Sequence, residues 1–204
     1  MSGQGRPVLL IATANAEKLA EFRRLLPADI ALLGLGDVGG VLPPEDGTTY
    51  AKNAGVKAMA AARQSGLLAL GDDSGLEVDA LAGRPGVYSA RFAGPAHDDA
   101  ANRARLLAEM NDVPDGERSA KFVCALALAT PRGIVARAEG ACHGAIGRQA
   151  SGQNGFGYDP LFRVPGGLTL ADLSSEEKDR VSHRGAAVRA LLPLLRRELG
   201  RCVR

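Results

Sequence analysis

The sequence predicts an α/β fold in which helices flank a mixed central β-sheet. Short apolar runs typical of buried strands alternate with segments of helical periodicity over most of the chain. Two longer strand segments, 119–130 and 134–146, are joined by only three residues. Because so short a connection cannot cross over a sheet, we expect these segments to form a long antiparallel hairpin.

The first half of the chain predicts strand, helix, strand and helix in turn. Residues 8–12 form a short apolar run, and residues 16–26 follow with Leu and Phe side chains on one helical stripe that ends before a proline. A second strand is predicted over residues 30–33. A Gly/Pro-rich loop then leads to an alanine-rich helix from about residue 48 to 65, which Gly66 can terminate.

The second half adds further helices around the predicted hairpin. Residues 98–111 predict a helix with Asp98 as its N-cap, and residues 174–177 match a capping box. A last helix follows, with Pro193 as a candidate kink. Its buried stripe is predicted to comprise Val188, Leu191, Leu192, Leu195 and Leu199.

Length and composition predict one compact domain over residues 1–204. A chain of 204 residues with 46% hydrophobic composition can bury a full core, and no linker divides it. No apolar run is long enough to span a bilayer or to form the core of a signal peptide, so we expect a cytoplasmic protein without a membrane partner. The cysteines and histidines lack the spacing of zinc ligands, which favours a hard cation bound by oxygen atoms.

The positive charge is concentrated at one end of the chain. The formal net charge is +2, yet the final 22 residues hold six Arg and one Glu. A basic face of this kind suits a polyanionic ligand, and the alternative is the solvated surface of a helix.

An acidic segment at residues 71–79 is the clearest sign of chemistry. Four acids fall within eight positions directly after an apolar run, which we interpret as a strand end before a glycine turn. Clustered like charges are costly unless a cation or a working carboxylate needs them. The adjacent Asp72 and Asp73 would point to opposite sides of an extended backbone, so one could bind Mg²⁺ or activate water while the other orients a neighbour. Glu45 could supply a distant carboxylate; ordinary surface acids are the alternative.

Three further segments are candidates for ligand binding. Residues 13–18 lie between the first strand and the first helix, where backbone N–H groups and the helix dipole attract phosphate; an Asn-centred turn with a solvated Lys is the alternative. Residues 151–160 place Phe156 and Tyr158 among glycines, as a platform for ring stacking or as a turn whose aromatics fill the core. Residues 182–185 offer hydrogen-bond donors at the start of the last helix that could contact the edge of a ligand; a His183 that simply begins the helix is the alternative.

Taken together, these segments resemble the inosine triphosphate pyrophosphatase family, also called XTP/dITP diphosphatases. The match covers nearly the whole chain, and several long segments in family order are more specific than any single motif. The segments are TANAEK at 13–18, DDSGLEVD at 72–79, PGVYSAR at 85–91, GFGYDP at 155–160 and SHRG at 182–185.

The resemblance implies an activity and a set of site residues. It implies a single catalytic domain of this family's fold, usually a homodimer, that cleaves ITP, dITP or XTP between the α- and β-phosphates with Mg²⁺ and removes non-standard purine nucleotides. Asp73 is then the proton acceptor and, with Glu45, a metal ligand. The substrate-binding residues implied are Thr13, Ala14, Asn15, Ala16, Glu17, Lys18, Lys57, Ser74, Phe156, Gly157, Tyr158, Asp159, Lys178, His183 and Arg184.

The chain departs from the family pattern without losing a proposed catalytic group. Ala14 stands where the family usually has Gly, and Gly71 where it commonly has Ala. Lys52 replaces a common Glu, and Asn154 a usual Gly. Two other functions are compatible with parts of the pattern: a pyrophosphatase of the related Maf type that prefers dTTP or UTP, and a nucleotide-binding regulator without turnover. No nucleic-acid partner is expected.

Overall fold

The protein is described by a computed structural model over residues 6–44 and 46–202. The strands are Val8–Ala12 (β1), Ala31–Gly34 (β2), Ala69–Val78 (β3), Ser119–Thr130 (β4), Gly133–Ile146 (β5) and Phe162–Arg163 (β6). The α-helices are Ala16–Leu25 (α1), Tyr50–Ser65 (α2), Asp99–Glu109 (α3), Ser175–Val181 (α4) and His183–Cys202 (α5). These elements confirm the α/β class.

The strands form one six-stranded sheet in the order β2-β1-β3-β4-β5-β6. β1 pairs in parallel with β2 and β3, whereas β5 and β6 pair antiparallel, so the sheet is mixed as predicted. β4 and β5 are neighbours in the sheet. The antiparallel direction expected for these two strands stays a prediction.

The chain divides into two compact units. The first unit holds the residues up to Asp73, residues 125–139 and those from Ala187 onward; the second holds residues 74–124 and 140–186. The single domain expected over the whole chain stays a prediction. No helix in the part of the chain that the structure describes is long and apolar enough to cross a membrane.

The first unit has a core of small side chains. Leu10 of β1 lies opposite Leu33 of β2 and Ala69 of β3, and the alanines of α2 pack in the same core. Gly71 shows how close this packing is, because a Cβ atom there would lie 2.1 Å from the carbonyl oxygen of Ala54. The missing side chain therefore lets α2 lie directly against β3.

The second unit has a core of larger side chains. Leu76, Phe122, Tyr158 and Phe162 are buried there together with Leu106 of α3 and with Met110, the C-cap of that helix. The rings of Phe122 and Phe162 lie 4.7 Å apart between centroids. This core supports the turn at residues 155–160 and the helix starts that follow it.

Most of the predicted helix ends agree with the structure. Asp98 caps α3 by accepting hydrogen bonds from two backbone N–H groups, and Ser174 forms a capping box with Glu177 at α4. Gly66 ends α2 in the left-handed conformation, with φ of 76°. α5 runs through Pro193, and Leu192 is only half-buried, unlike the other four residues of the predicted stripe.

The expected end of a strand at the acidic segment is wrong. β3 continues from Ala69 to Val78, so Asp72 and Asp73 lie inside a strand and are 1% and 6% exposed. Gly75 does not break the strand. Burial of two adjacent acids is tolerated because each has a cationic partner, as described below.

Candidate active site

The loop between β1 and α1 has the geometry of an Asn-capped helix start. The side chain of Asn15 accepts a hydrogen bond of 2.7 Å from the backbone N–H of Lys18, and Thr13 Oγ1 accepts one of 3.2 Å from the N–H of Asn15. Ala14 is not among the described non-glycine residues with positive φ, which are Ala82 and His97. A Cβ at this position therefore fits the loop.

The same loop borders an open cavity. The cavity has a volume of about 540 Å³, and its lining includes Thr13 and Asn15, with Arg23 of α1 and Asp37. Ala16 and Glu17 begin α1, and Glu17 places a negative charge in its first turn. The Asn-centred turn of the alternative interpretation is present. The phosphate site expected at this loop stays a prediction.

Asp72 and Asp73 have different partners, as their adjacent positions on an extended strand predict. The Lys18 Nζ atom lies 2.6 Å from Asp72 Oδ2, and the Lys18 side chain is 17% exposed. Lys18 is therefore ion-paired, in contrast to the solvated Lys of the alternative interpretation. Asp72 serves to hold Lys18 next to the loop.

Asp73 receives hydrogen bonds from two residues of α2. Lys57 Nζ lies 3.2 Å from Asp73 Oδ1, and Asn53 Nδ2 lies 3.0 Å from Asp73 Oδ2. The two donors are one helical turn apart. We call Lys18, Asn53, Lys57, Asp72 and Asp73 the carboxylate cluster. It combines two ionised acids, two ammonium groups and a neutral amide, an arrangement able to bind an anionic ligand and to accept a proton.

Of the two proposed metal ligands, Asp73 belongs to the part of the chain that the structure describes. Glu45 lies outside the described residues. Over residues 6–44 and 46–202, no three His, Cys, Asp or Glu side chains lie close enough together to form a metal site. Asp73 is thus the described carboxylate that could ligate a cation, with oxygen atoms that Mg²⁺ prefers.

A second group of polar residues surrounds Phe156 in the second unit. Asp159 Oδ2 accepts hydrogen bonds from Lys178 Nζ at 2.6 Å and from the backbone N–H of Phe156 at 2.9 Å. Lys178 Nζ and the Arg184 guanidinium carbon lie 4.9 Å and 5.9 Å from the centroid of the Phe156 ring. We call Ser74, Phe156, Asp159, Lys178 and Arg184 the aromatic cluster.

Arg184 has the largest fully buried side chain of the described residues. Its Nη2 atom donates a hydrogen bond of 3.0 Å to Ser74 Oγ. The preceding residue, His183, is 5% exposed, and its ring stacks on Phe122 with a centroid distance of 4.7 Å and an interplanar angle of 14°. Packing therefore fixes both side chains at the start of α5.

The two aromatics of the glycine-rich turn differ in their surroundings. Tyr158 is 4% exposed, and its hydroxyl donates a hydrogen bond of 2.9 Å to the Ser89 carbonyl. Burial raises the pKa of the Tyr158 hydroxyl, so the phenol stays neutral. The Tyr158 side chain thus fits the core alternative. Phe156 is half-buried, which suits a stacking role.

Two residues of α3 hold the backbone of Gly157. Asp99 Oδ2 accepts a 2.6 Å hydrogen bond from the Gly157 N–H, and Arg103 Nη1 donates one of 2.8 Å to the Gly157 carbonyl. No local pattern indicates these two contacts, because Arg103 and Asp99 lie 54 and 58 residues from Gly157 in the chain. Asn53 was also missed, although its spacing of four residues from Lys57 is a helical one.

The described cysteines carry no evident chemistry. Cys124 and Cys142 are buried, and burial raises the pKa of the Cys142 thiol to about 11, so this thiol is neutral.

The basic C-terminal segment forms ion pairs at the surface. Arg196 pairs with Asp29, and Arg197 and Arg201 pair with Glu198. These ion pairs favour the interpretation as a solvated helix surface.

Comparison with known proteins gives a consistent result. The model of the Ham1 family matches residues 9–194. A protein of Desulforamulus reducens named dITP/XTP pyrophosphatase is 50% identical over 192 residues, which cover 93% of this chain and 96% of the relative. A Mycobacterium tuberculosis protein of the same name is 52% identical over 197 residues, which cover 92% and 95%.

Solved structures agree with these relatives. A HAM1 protein from Coxiella burnetii superimposes with a TM-score of 0.84 at 38% identity, covering 93% of this chain and 98% of that one. A dITP/XTP pyrophosphatase from Mycobacterium abscessus superimposes with a TM-score of 0.72 at 49% identity, covering 92% and 99%. Sequence and fold agree over almost the full length, and the chain belongs to the Ham1 family.

Proposed function

We propose that the protein is a Mg²⁺-dependent nucleoside triphosphate pyrophosphatase. It hydrolyses dITP, XTP and ITP to the monophosphate and pyrophosphate, and so removes non-standard purine nucleotides from the pool. The observation that carries the proposal is the carboxylate cluster, in which a buried Asp73 is held between Asn53 and Lys57. The relatives named dITP/XTP pyrophosphatase support the release of pyrophosphate from dITP and XTP.

The triphosphate is bound by the first unit in this proposal. The loop at residues 13–18 contributes backbone N–H groups at the start of α1, together with the side chains of Thr13 and Asn15. Lys18 and Lys57 contribute ammonium charges, and each is kept in place by its own aspartate. A compact ammonium suits a phosphate oxygen. The ion pairs orient these lysines before a substrate arrives.

The residues present fit Mg²⁺ as the cation. Mg²⁺ is usually bound through one or two carboxylates, with substrate phosphates and water completing its ligands. Asp73 supplies one carboxylate, and Glu45 is proposed as the second. The Asp73 carboxylate is held by Asn53 and Lys57, and its oxygen atoms are of the type that Mg²⁺ prefers. When bound, Mg²⁺ neutralises phosphate charge and polarises the scissile phosphorus.

The chemical step is an in-line displacement at the α-phosphorus. The oxygen of a water molecule forms a bond to that phosphorus, and the bond from the phosphorus to the oxygen bridging the α- and β-phosphates breaks. Asp73 orients the water and takes its proton, while pyrophosphate leaves with the bridging oxygen. Lys57 Nζ, 3.2 Å from Asp73 Oδ1, places a positive charge beside the carboxylate that serves as the proton acceptor.

The purine base is read by the second unit. Lys178, His183 and Arg184 supply donors to the 6-oxo edge, and Phe156 stacks on the ring. Adenine carries an amino group at that position, so it would leave pocket donors facing a donor. Each buried group left unpaired costs about 1–3 kcal/mol, which disfavours ATP.

Pyrophosphate release from a panel of nucleotides tests the proposal. We expect release from dITP, XTP and ITP in the presence of Mg²⁺, much slower release from ATP, and none in excess EDTA. Preference for dTTP or UTP would instead indicate the Maf type of pyrophosphatase. Binding of ITP without any turnover would indicate a regulator. Either result would refute the proposal.

Substitution of Phe156 separates stacking on the base from recognition of its edge. Because a stacked ring contacts any purine, we expect Phe156→Ala to raise KM for ITP and ATP by similar factors, about tenfold. Phe156→Tyr keeps the ring and should restore both values. Steady-state kinetics on the two nucleotides is the measurement. An increase in KM for ITP that is more than fivefold greater than the increase for ATP would contradict this role.

We further propose that the enzyme is a homodimer that acts in the cytoplasm. The family resemblance supports both statements, since its members are usually dimers that act on the nucleotide pool. Light scattering coupled to size-exclusion chromatography gives the mass in solution, and cell fractionation gives the compartment.

A further inference from the structure

We infer that Asn53 is a positioning residue that orients the Asp73 carboxylate and ties the loop at Gly47 to it. The inference rests on the role proposed for Asp73 and adds a residue that neither the sequence analysis nor the comparisons identify. The inference comes from three features around Asn53: its buried amide, the two acceptors of that amide, and a glycine packed directly against it.

The amide of Asn53 makes both contacts through one nitrogen atom. The residue is 2% exposed and lies in the first turn of α2. Its Nδ2 atom donates to Asp73 Oδ2 at 3.0 Å and to the Gly47 carbonyl oxygen at 3.4 Å. Because an ionised carboxylate and a carbonyl offer only acceptors, the NH₂ group must face them.

Asn53 and Lys57 together fix the plane of the carboxylate. Each donates to a different oxygen of Asp73, and both project from one face of α2. One bond would leave the carboxylate free to rotate about its Cβ–Cγ bond, whereas two bonds on opposite oxygens do not. The two bonds therefore hold the carboxylate plane in one orientation, which a proton acceptor or metal ligand requires.

Gly47 brings a second loop to the same amide. A Cβ atom at Gly47 would lie 2.1 Å from Asn53 Oδ1, so any side chain there would displace the amide. Gly47 is buried, and Thr49, two residues later, caps α2. Asn53 thus links the loop at Gly47 to the Asp73 carboxylate.

Other residue types at position 53 would not give this arrangement. Aspartate would place a third acid beside Asp73, where like charges repel. Leucine has a similar volume but no donor, so it would keep the packing and lose both hydrogen bonds. The difference between packing and positioning can therefore be measured with substitutions at this one site.

The test compares Asn53→Leu and Asn53→Ala with Asn102→Ala. Asn102 is a matched control because it is a buried asparagine on α3 whose amide bonds the backbone groups of Ala90 and Ala93. We expect both Asn53 variants to lower kcat for ITP by about 10- to 100-fold, with KM for ITP changed less than threefold. Asn102→Ala should lower the Tm and leave kcat within twofold.

A second readout is independent of turnover. Electron paramagnetic resonance measures Mn²⁺ binding to the nucleotide-free protein, and we expect both Asn53 variants and Gly47→Ala to weaken it about tenfold. If the wild type binds Mn²⁺ but releases no pyrophosphate, the proposed function fails while this readout still decides the inference.

Three results would overturn the inference. The first is kcat and Mn²⁺ affinity within twofold of wild type in both Asn53 variants. The second is full activity in Asn53→Leu with loss only in Asn53→Ala, since that pattern indicates packing. The third is a wild type that neither hydrolyses ITP nor binds Mn²⁺.

Discussion

Asp73→Asn is expected to lower kcat for ITP by roughly 10³-fold or more, because the amide keeps the shape of the side chain but cannot take a proton from water. It also loses the negative charge that a cation would need. Steady-state pyrophosphate release at saturating ITP and Mg²⁺ is the measurement. Rates near those of the wild type under these conditions would refute the role of Asp73.

The substitution also affects stability, and the experiment must account for it. Lys57 has a side chain that is 5% exposed, and with Asn at position 73 it would lose its charged partner. A buried charge without its partner is costly, so we expect a lower Tm together with retained secondary structure by circular dichroism. The active fraction has to be measured before kcat is compared.

Asp79→Asn is a matched control from the same acidic segment. Asp79 is exposed, and its Oδ2 accepts a 2.6 Å hydrogen bond from Ser119. An amide oxygen can accept that bond equally well, so activity should remain within twofold of wild type. A loss of kcat as large as that of Asp73→Asn would mean that activity depends on the total charge of the segment, and that Asp73 is not the proton acceptor.

The sequence predicted the local features of the site and missed those that depend on packing. Caps and turns are determined by neighbouring residues, so Asp98, Ser174 and Gly66 could be assigned from the chain alone. The adjacency of Asp72 and Asp73 likewise predicted separate partners. The identity of those partners could not be predicted, because they lie on α1 and α2, far from the strand in the chain.

β3 shows why the strand end was misplaced. Clustered acids and Gly75 favour a turn when only local propensity is considered. In the folded chain, Lys18 and Lys57 compensate the charges of the two aspartates, and the strand continues to Val78. The compensation is contributed by residues 54 and 16 positions away, which no local window contains.

The turn at residues 155–160 gives a similar lesson. Its glycines and aromatics allowed two interpretations, a stacking platform or a turn whose aromatics fill the core. Tyr158 is buried in the core, whereas Phe156 is half-buried beside the cations of Lys178 and Arg184, and its stacking role stays a prediction. Alternation of side chains in a turn is not regular enough to predict which ring points inward. β6, with two residues, was too short to be predicted at all.

Arg184→Ala is expected to narrow the preference for ITP over ATP. If Arg184 donates to the 6-oxo edge of the base, its loss removes a bond that ITP can form and ATP cannot. One such bond accounts for about 1–3 kcal/mol, so kcat/KM for ITP should fall by roughly 5- to 150-fold relative to that for ATP. Competition between the two nucleotides in one reaction gives this ratio directly.

The ratio of kcat/KM for ITP to kcat/KM for ATP is the quantity to compare, because substitution of the buried Arg184 also affects folding. Its guanidinium donates to Ser74 Oγ, and removal of so large a side chain will also destabilise the protein. A reduced folded fraction lowers both values of kcat/KM equally and cancels in their ratio. Arg184→Lys is the companion variant, since it keeps the charge, fills most of the space and loses the planar fork of donors. If the ratio of ITP to ATP is unchanged in both variants, Arg184 does not read the base, and its bond to Ser74 serves only to hold α5 against β3.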